Sequence, residues 1–357
     1  MPRSNASAPR RRLEGWRAAI HDYVERVNRA ELEGGIAPLV DAVADEEHLR
    51  RLEQRLLRTA RRDRERAIAP LRSEARAAIE RAHESAREAS VLLRLHFTKQ
   101  CRHGGTSYNE QRGELERIRL QQRERVWRIV MIEPVVAERR PRFGIGAETE
   151  ASRKAEVAST AQQEPPAPMH APYLSPALLD HYRPGGRSFR SYRRELAVSY
   201  ADRWWDAPNP EYEAFDVNCT NYVSQCLFAG NAPMDYTGRR EAGWWYRGRH
   251  NGREAWSYSW SVSNALKQLL AAPRTSGLRA QLVENPAQLA LGDIIVYDWN
   301  GDDRFQHSTI VTAFDASGMP LVNANTVASR HRYWDYRDSY AWTERTSYRF
   351  FHIADLL

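Results

Sequence analysis

Val217-Asn218-Cys219-Thr220-Asn221-Tyr222-Val223-Ser224-Gln225 is the stretch on which the reading of this chain turns. A polar residue leads into Tyr222, Val223, Cys226 and Leu227, apolar positions at helical spacing, so a helix is expected to begin at Cys219. A thiol in the first turn faces the positive end of the helix dipole, which favours the nucleophilic thiolate. Cys226 lies on the same face and reads as core, and Cys101 has no neighbours suggesting chemistry.

Downstream, Gln306-His307-Ser308-Thr309-Ile310-Val311 places a histidine at the head of a β-branched run, where it can serve a cysteine as base. A further run, Pro320-Leu321-Val322-Asn323-Ala324-Asn325, carries two amides on one strand face, and either can orient that imidazole. Cys, His and Asn in that chain order form a papain-type set.

Outward from these motifs, the C-terminal half reads as helices followed by strands, an α+β pattern. Helices are expected over Ser191 to Trp205, from Cys219 to Ala229-Gly230-Asn231, and over Ser261 to Leu270. Residues 231–255 read as loop. Strands are expected at Asp293 to Trp299, His307 to Phe314, Leu321 to Asn325 and Tyr348 to Ile353. Asp298-Trp299-Asn300-Gly301-Asp302-Asp303 starts like a calcium loop, but Thr309 stands where the closing glutamate belongs, so it reads as a polar turn. Trp244, Trp245 and Trp256 fall in loop-like sequence and are candidate walls of a substrate cleft.

The N-terminal part, residues 1–136, reads as a helical hairpin or bundle. Leu13, Trp16, Ile20, Tyr23, Val24 and Val27 recur at helical steps, as do Leu49, Leu52, Leu56 and Ala60. Further helical runs are expected from Leu71 through Ile79 to Leu95 and from Leu115 to Val130, with a turn at Gly104-Gly105. The stripes allow a coiled coil that binds a protein partner or self-associates. Residues 137–175, ending in Pro165-Pro166-Ala167-Pro168, read as a disordered linker, and 176–357 as the second domain.

Bulk properties narrow the class. The chain has 357 residues, of which 28% are charged and 42% hydrophobic, with a net charge of +7 carried almost wholly by arginine. Uniform arginine use reads as composition, so no nucleic-acid partner is expected. No apolar run is long enough for a bilayer and no secretory h-region precedes Trp16, so neither a membrane partner nor export is expected, and a cytoplasmic setting is. Three cysteines give no disulfide framework. Zinc-peptidase, phosphate-loop and serine-elbow motifs are missing, and no metal or other cofactor is expected.

The ordered motifs resemble the bacterial putative amidase domain family, related to papain-like cell-wall amidases and peptidases. They are Asn209-Pro210, Cys219 to Leu227, Trp244-Trp245-Tyr246, Ser259-Trp260, Gly292 to Ile295, Tyr297 to Asp302, His307-Ser308 and Leu321 to Ala324, spread over residues 185–345. The resemblance implies a papain-like α+β fold, a cysteine-dependent hydrolase of an amide bond, and a peptide or peptidoglycan-derived substrate. Position by position it makes Cys219 the nucleophile, His307 the base and Asn323 the third residue, with Asn325 as fallback. Two positions depart: Asn218 stands where the family has Asp, and Asn325 where it reads His in Asn-Ala-His-Thr. A binding module with a dead site, or an acyltransferase using the same thiol, are the alternative readings.

Overall fold

The computed structural model describes residues 14–139, 190–250 and 252–357. The expected linker lies outside the described residues except for 137–139, and so does 176–189. The chain divides into two compact units, one of Met1–Arg102 with Glu114–Val135, the other of His103–Gly113 with Val136–Leu357.

The first unit opens with the two expected helices. α1 (Trp16–Glu33) buries Trp16, Ile20, Tyr23, Val24 and Val27, and ends at Gly34, whose φ of 70° suits a residue without Cβ. α2 (Glu46–Glu65) starts where the Asp45 carboxylate accepts the His48 N–H at 3.0 Å, and it buries Leu49, Leu52 and Leu56. The remainder corrects the helical reading. β1 (Ile68–Glu84), β2 (Glu88–His103), β3 (Thr106–Arg123) and β4 (Val126–Pro134) form a meander. In β2, Ala89, Val91, Leu93, Leu95 and Phe97 are buried at every second position, a strand period that also satisfies helical steps of four. The expected turn at Gly104-Gly105 joins β2 to β3 as a hairpin. The apolar stripes of α1 and α2 are taken up by these strands, in one cluster with Val91, Leu93, Leu95, Ile118 and Ile129, and not by a coiled coil.

The second unit is α+β around an antiparallel sheet. Its helices are α3 (Arg194–Trp204), α4 (Cys219–Ala229), α5 (Tyr258–Ser261) and α6 (Ser263–Ala271), with a hairpin of β5 (Tyr246–His250) and β6 (Arg253–Trp256) inside the stretch expected to be loop. β7 (Ala280–Val283), β8 (Ile294–Asp298), β9 (His307–Phe314), β10 (Pro320–Ala324), β11 (Ser329–Tyr333) and β12 (Ser347–Ile353) lie in the order β11-β10-β9-β8-β12-β7. Beyond β11, Gln111 and Arg112 of β3 pair with Arg330 and Ser329. Four of the strands fall where expected; β7 and β11 were not read from the sequence.

Strand parity gives the sheet two distinct faces. Ile294, Val296 and Ile310 pack on the α4 residues Tyr222, Val223, Cys226 and Leu227. The next residues along, Ile295, Tyr297, Trp299, Val311 and Val322, form the other face with Tyr336. Val136 packs against that second face. There the Glu138 carbonyl accepts from Trp299 Nε1 at 3.0 Å, and its carboxylate accepts from Ser339 Oγ at 2.7 Å.

Candidate active site

Cys219 is the first residue of α4, as expected, but its helix start is capped from elsewhere. Asn218 makes no side-chain cap. Instead the Thr326 hydroxyl, in the turn between β10 and β11, accepts the N–H of Asn218 at 2.9 Å and of Cys219 at 2.7 Å. That satisfies donors a helix start leaves open. Asn325 holds the same corner: its Oδ1 accepts from Asn218 Nδ2 at 2.6 Å, and its Nδ2 donates to the Trp204 carbonyl at 2.7 Å. Thr326 was missed in the sequence reading. Its signal was the threonine that follows Asn-Ala-x in the resembled motif.

The Cys219 thiol is 1% exposed and lies against the opening of β9, with Sγ 3.9 Å from the Gln306 carbonyl oxygen and 3.8 Å from Thr220 Oγ1. Burial raises its pKa above the ordinary thiol value, while hydrogen bonds from Thr326, the Ser308 backbone and Thr220 pull it down. Burial wins, so the resting group is a thiol, and the expectation of a dipole-stabilised thiolate is corrected.

His307 is the first residue of β9, and its imidazole lies on the far face of the sheet from α4. The alternation is explicit in the neighbours. Ser308 points to the α4 side, 3.2 Å from Thr220 Oγ1 and donating to Ser263 Oγ at 2.8 Å. The His307 ring packs among Tyr297, Trp299 and Tyr336, with centroids 5.3, 5.8 and 5.2 Å away. It is fully buried, and neither ring nitrogen has a hydrogen-bond partner among the described residues. Burial, then the Arg332 charge, lowers its pKa to about 3, so the ring is neutral. Thus the strand that carries His307 runs past the thiol, but thiol and imidazole are not hydrogen-bonded.

Asn323 sits on the α4 side of β10, away from that ring. Its Oδ1 accepts from Thr312 Oγ1 and from the His331 N–H, both at 2.8 Å, and its Nδ2 donates to Asp202 Oδ1 at 2.9 Å. It therefore orients Asp202 and His331 rather than His307. Arg330 and His331 join that carboxylate at 3.0 and 3.4 Å. The hydrogen bonds from His331, Arg330 and Asn323 overcome burial and hold Asp202 well below the usual carboxylate range.

The tryptophans expected to line a cleft are core. Trp244, Trp245 and Trp256 are 0%, 3% and 0% exposed. Trp244 Nε1 donates to Ser224 Oγ at 3.0 Å and Trp245 Nε1 to the Ala242 carbonyl at 3.0 Å. Trp244 and Trp256 join the core cluster of α4, and Trp245 packs edge-on against Tyr236, so these rings fill space instead of walling a groove. The Asp298 turn is held by its own carboxylate, which accepts the N–H groups of Asn300, Gly301 and Asp303 at 3.0, 2.9 and 2.7 Å. No group of side chains suited to hold a metal ion occurs among the described residues. No helix among them is long and apolar enough to cross a membrane.

An antiparallel sheet with a cysteine-headed helix on one face is what the second unit offers. Residues 191–351 match the family described as "Putative amidase domain". Over 170 residues the chain is 49% identical to the uncharacterized protein YhbB of Bacillus subtilis (strain 168), a match that takes in 48% of this chain and 52% of that protein. The chain thus spans about half the length of the curated relative it matches. Among solved structures, the intermembrane space region of the chloroplast protein ARC6 aligns with 35% of this chain and 98% of its own, at 14% identity and a TM-score of 0.24.

Proposed function

We propose that the second unit is a cysteine-dependent amide-bond hydrolase of papain-like type, with Cys219 as nucleophile and His307 as general base. The observation that carries this reading is the seating of Cys219 Sγ against Gln306, one residue before a histidine whose two ring nitrogens have no hydrogen-bond partner among the described residues. Sγ attacks the scissile carbonyl carbon as His307 takes the thiol proton. The imidazolium then protonates the leaving amine, and water resolves the acyl-enzyme. The resting site is a neutral thiol and a neutral imidazole on opposite faces of β9. Productive attack therefore requires the head of that strand to turn its ring toward the thiol. The Cys219 N–H, a natural oxyanion donor, must also release Thr326. Asn325 and Thr326 fix the corner around Cys219 and so position the thiol, a different role from the holding of the His307 ring expected of Asn323. The substrate class is a peptide amide, of which bacterial cell-wall stem peptides are the first to try. The three cysteines form no disulfide, which suits a reducing, cytoplasmic setting.

The test is hydrolysis of a panel of such peptides by the intact chain and by Cys219→Ala. Turnover that disappears in the variant, with the melting transition kept, supports the reading; turnover retained by Cys219→Ala refutes it. A second reading, a binding module on the same fold, is favoured by the separation of thiol and imidazole. It predicts peptide binding unchanged by Cys219→Ala and no turnover in either protein.

A further inference from the structure

β1 is an edge strand: among the described residues its sheet neighbour is β2 alone. Every residue from Arg76 to Glu84 is exposed, so that stretch lacks cover on both faces as well as along its outer edge. Leu71 and Ile79 are 42% and 44% exposed. A long strand with an open row of N–H and C=O groups is a template for another strand. A ribbon with no covered face is marginal by itself.

The charges on β1 select what that strand is. Arg72, Glu74, Arg76, Glu80 and Glu84 share one face, being spaced in twos. When two copies run antiparallel about Ala78, Arg72 opposes Glu84 and Arg76 opposes Glu80, each pair occurring twice by symmetry. Glu74 then faces Ala82, and no like charges meet. Other face-preserving registers fare worse. Centring on Ala77 sets Glu74 against Glu80, and centring on Ile79 sets Glu74 against Glu84. Centring on Arg76 or Glu80 opposes that residue to its own copy. Centring on Ala75 draws Pro70, which has no N–H to give, into the ladder. Opposite charges across a strand pair stabilise it and like charges destabilise it. Four of these residues already have partners within the chain, Glu80 with Arg94 at 2.5 Å, Glu84 with Arg17 at 3.8 Å, and Arg72 and Glu74 with each other, whereas Arg76 has no ion-pair partner among the described residues.

We infer that the chain forms a two-fold dimer in which the β1 edges pair antiparallel about Ala78. The interface is isologous, the usual form for a closed pair. It is independent of the chemistry at Cys219.

The test uses the full chain. Light scattering at micromolar concentration is expected to give twice the chain mass, and Arg76→Glu, which sets a carboxylate against Glu80 of the other copy twice by symmetry, is expected to give the monomer mass. Register is read by oxidising Ala78→Cys and Ala82→Cys. The native cysteines are buried, so the introduced thiols report. Residues at 78 face each other across the axis, while those at 82 lie about 27 Å apart, so Ala78→Cys should cross-link and Ala82→Cys should not. A monomeric wild-type chain overturns the dimer. Equal cross-linking at 78 and 82 overturns the pairing.

Discussion

Burial keeps both Cys219 and His307 neutral at pH 7, and that has a measurable sign. His307 is lowered to about 3 in the fold against an ordinary value of 6.5. Between those values the unfolded chain binds a proton that the folded one does not. Its contribution is therefore fully present above pH 6.5 and is lost as pH falls toward 3, at up to about 1.4 kcal/mol per pH unit. Urea unfolding midpoints of the intact chain should fall less steeply between pH 6.5 and 4 in His307→Phe than in the wild type; an unchanged slope would contradict a buried neutral ring. At Thr326 the prediction concerns the thiol. Thr326→Val removes a hydroxyl that accepts two N–H groups and hydrogen-bonds the thiolate, so alkylation of Cys219 should shift to higher pH while Thr326→Ser stays close to wild type. Cys219, and His307 at the head of its strand, were legible because each sits where a local pattern changes. The face His307 takes was not, since it depends on the β8–β9 register that opposes Tyr297 to His307. Nor were the partners of Asn323, which come from the distant residues Asp202 and Thr312.

At the scale of elements, α4 ends against Tyr192 in a contact that tolerates no side chain. A Cβ on Gly230 would lie 2.5 Å from Tyr192 Cε2, and the Tyr192 hydroxyl is held to the Gly292 carbonyl at 2.8 Å. Gly230→Ala should therefore destabilise the second unit by about 1–3 kcal/mol, the cost of overpacking, read as a lower denaturation midpoint; a neutral effect would mean that Tyr192 moves freely. The sequence marked Ala229-Gly230-Asn231 as a helix end. Asn231, with φ 73°, takes the left-handed position, and Gly230 supplies close approach. The same sequence misled over β1, where alanine, arginine and glutamate favour helix, because edge pairing and tertiary contacts outweigh weak propensity. In β2 the period of two was present but shared its leucines with a helical reading.

At the scale of the molecule, the second unit reaches outside the matched residues 191–351. Arg332 is 3% exposed, and its countercharges are Asp338 at 3.0 Å and Glu138 at 3.5 Å. Glu138 lies in the three-residue turn Ala137–Arg139, in a stretch whose composition read as linker. Composition averages over a segment and cannot register one buried carboxylate. Breaking a buried pair leaves a charge uncompensated, so Glu138→Ala should lower stability by about 3–5 kcal/mol. Differential scanning calorimetry of the whole chain checks this, and an unshifted transition would show that Asp338 suffices. The central claim, that Cys219 is a nucleophile served by His307, is tested most directly by labelling the intact chain with a peptidyl chloromethyl ketone at neutral pH and mapping the modified peptide. The account predicts modification at Cys219, absent in His307→Ala, with Cys101 and Cys226 untouched. Labelling that spares Cys219, or that persists undiminished in His307→Ala, would contradict it.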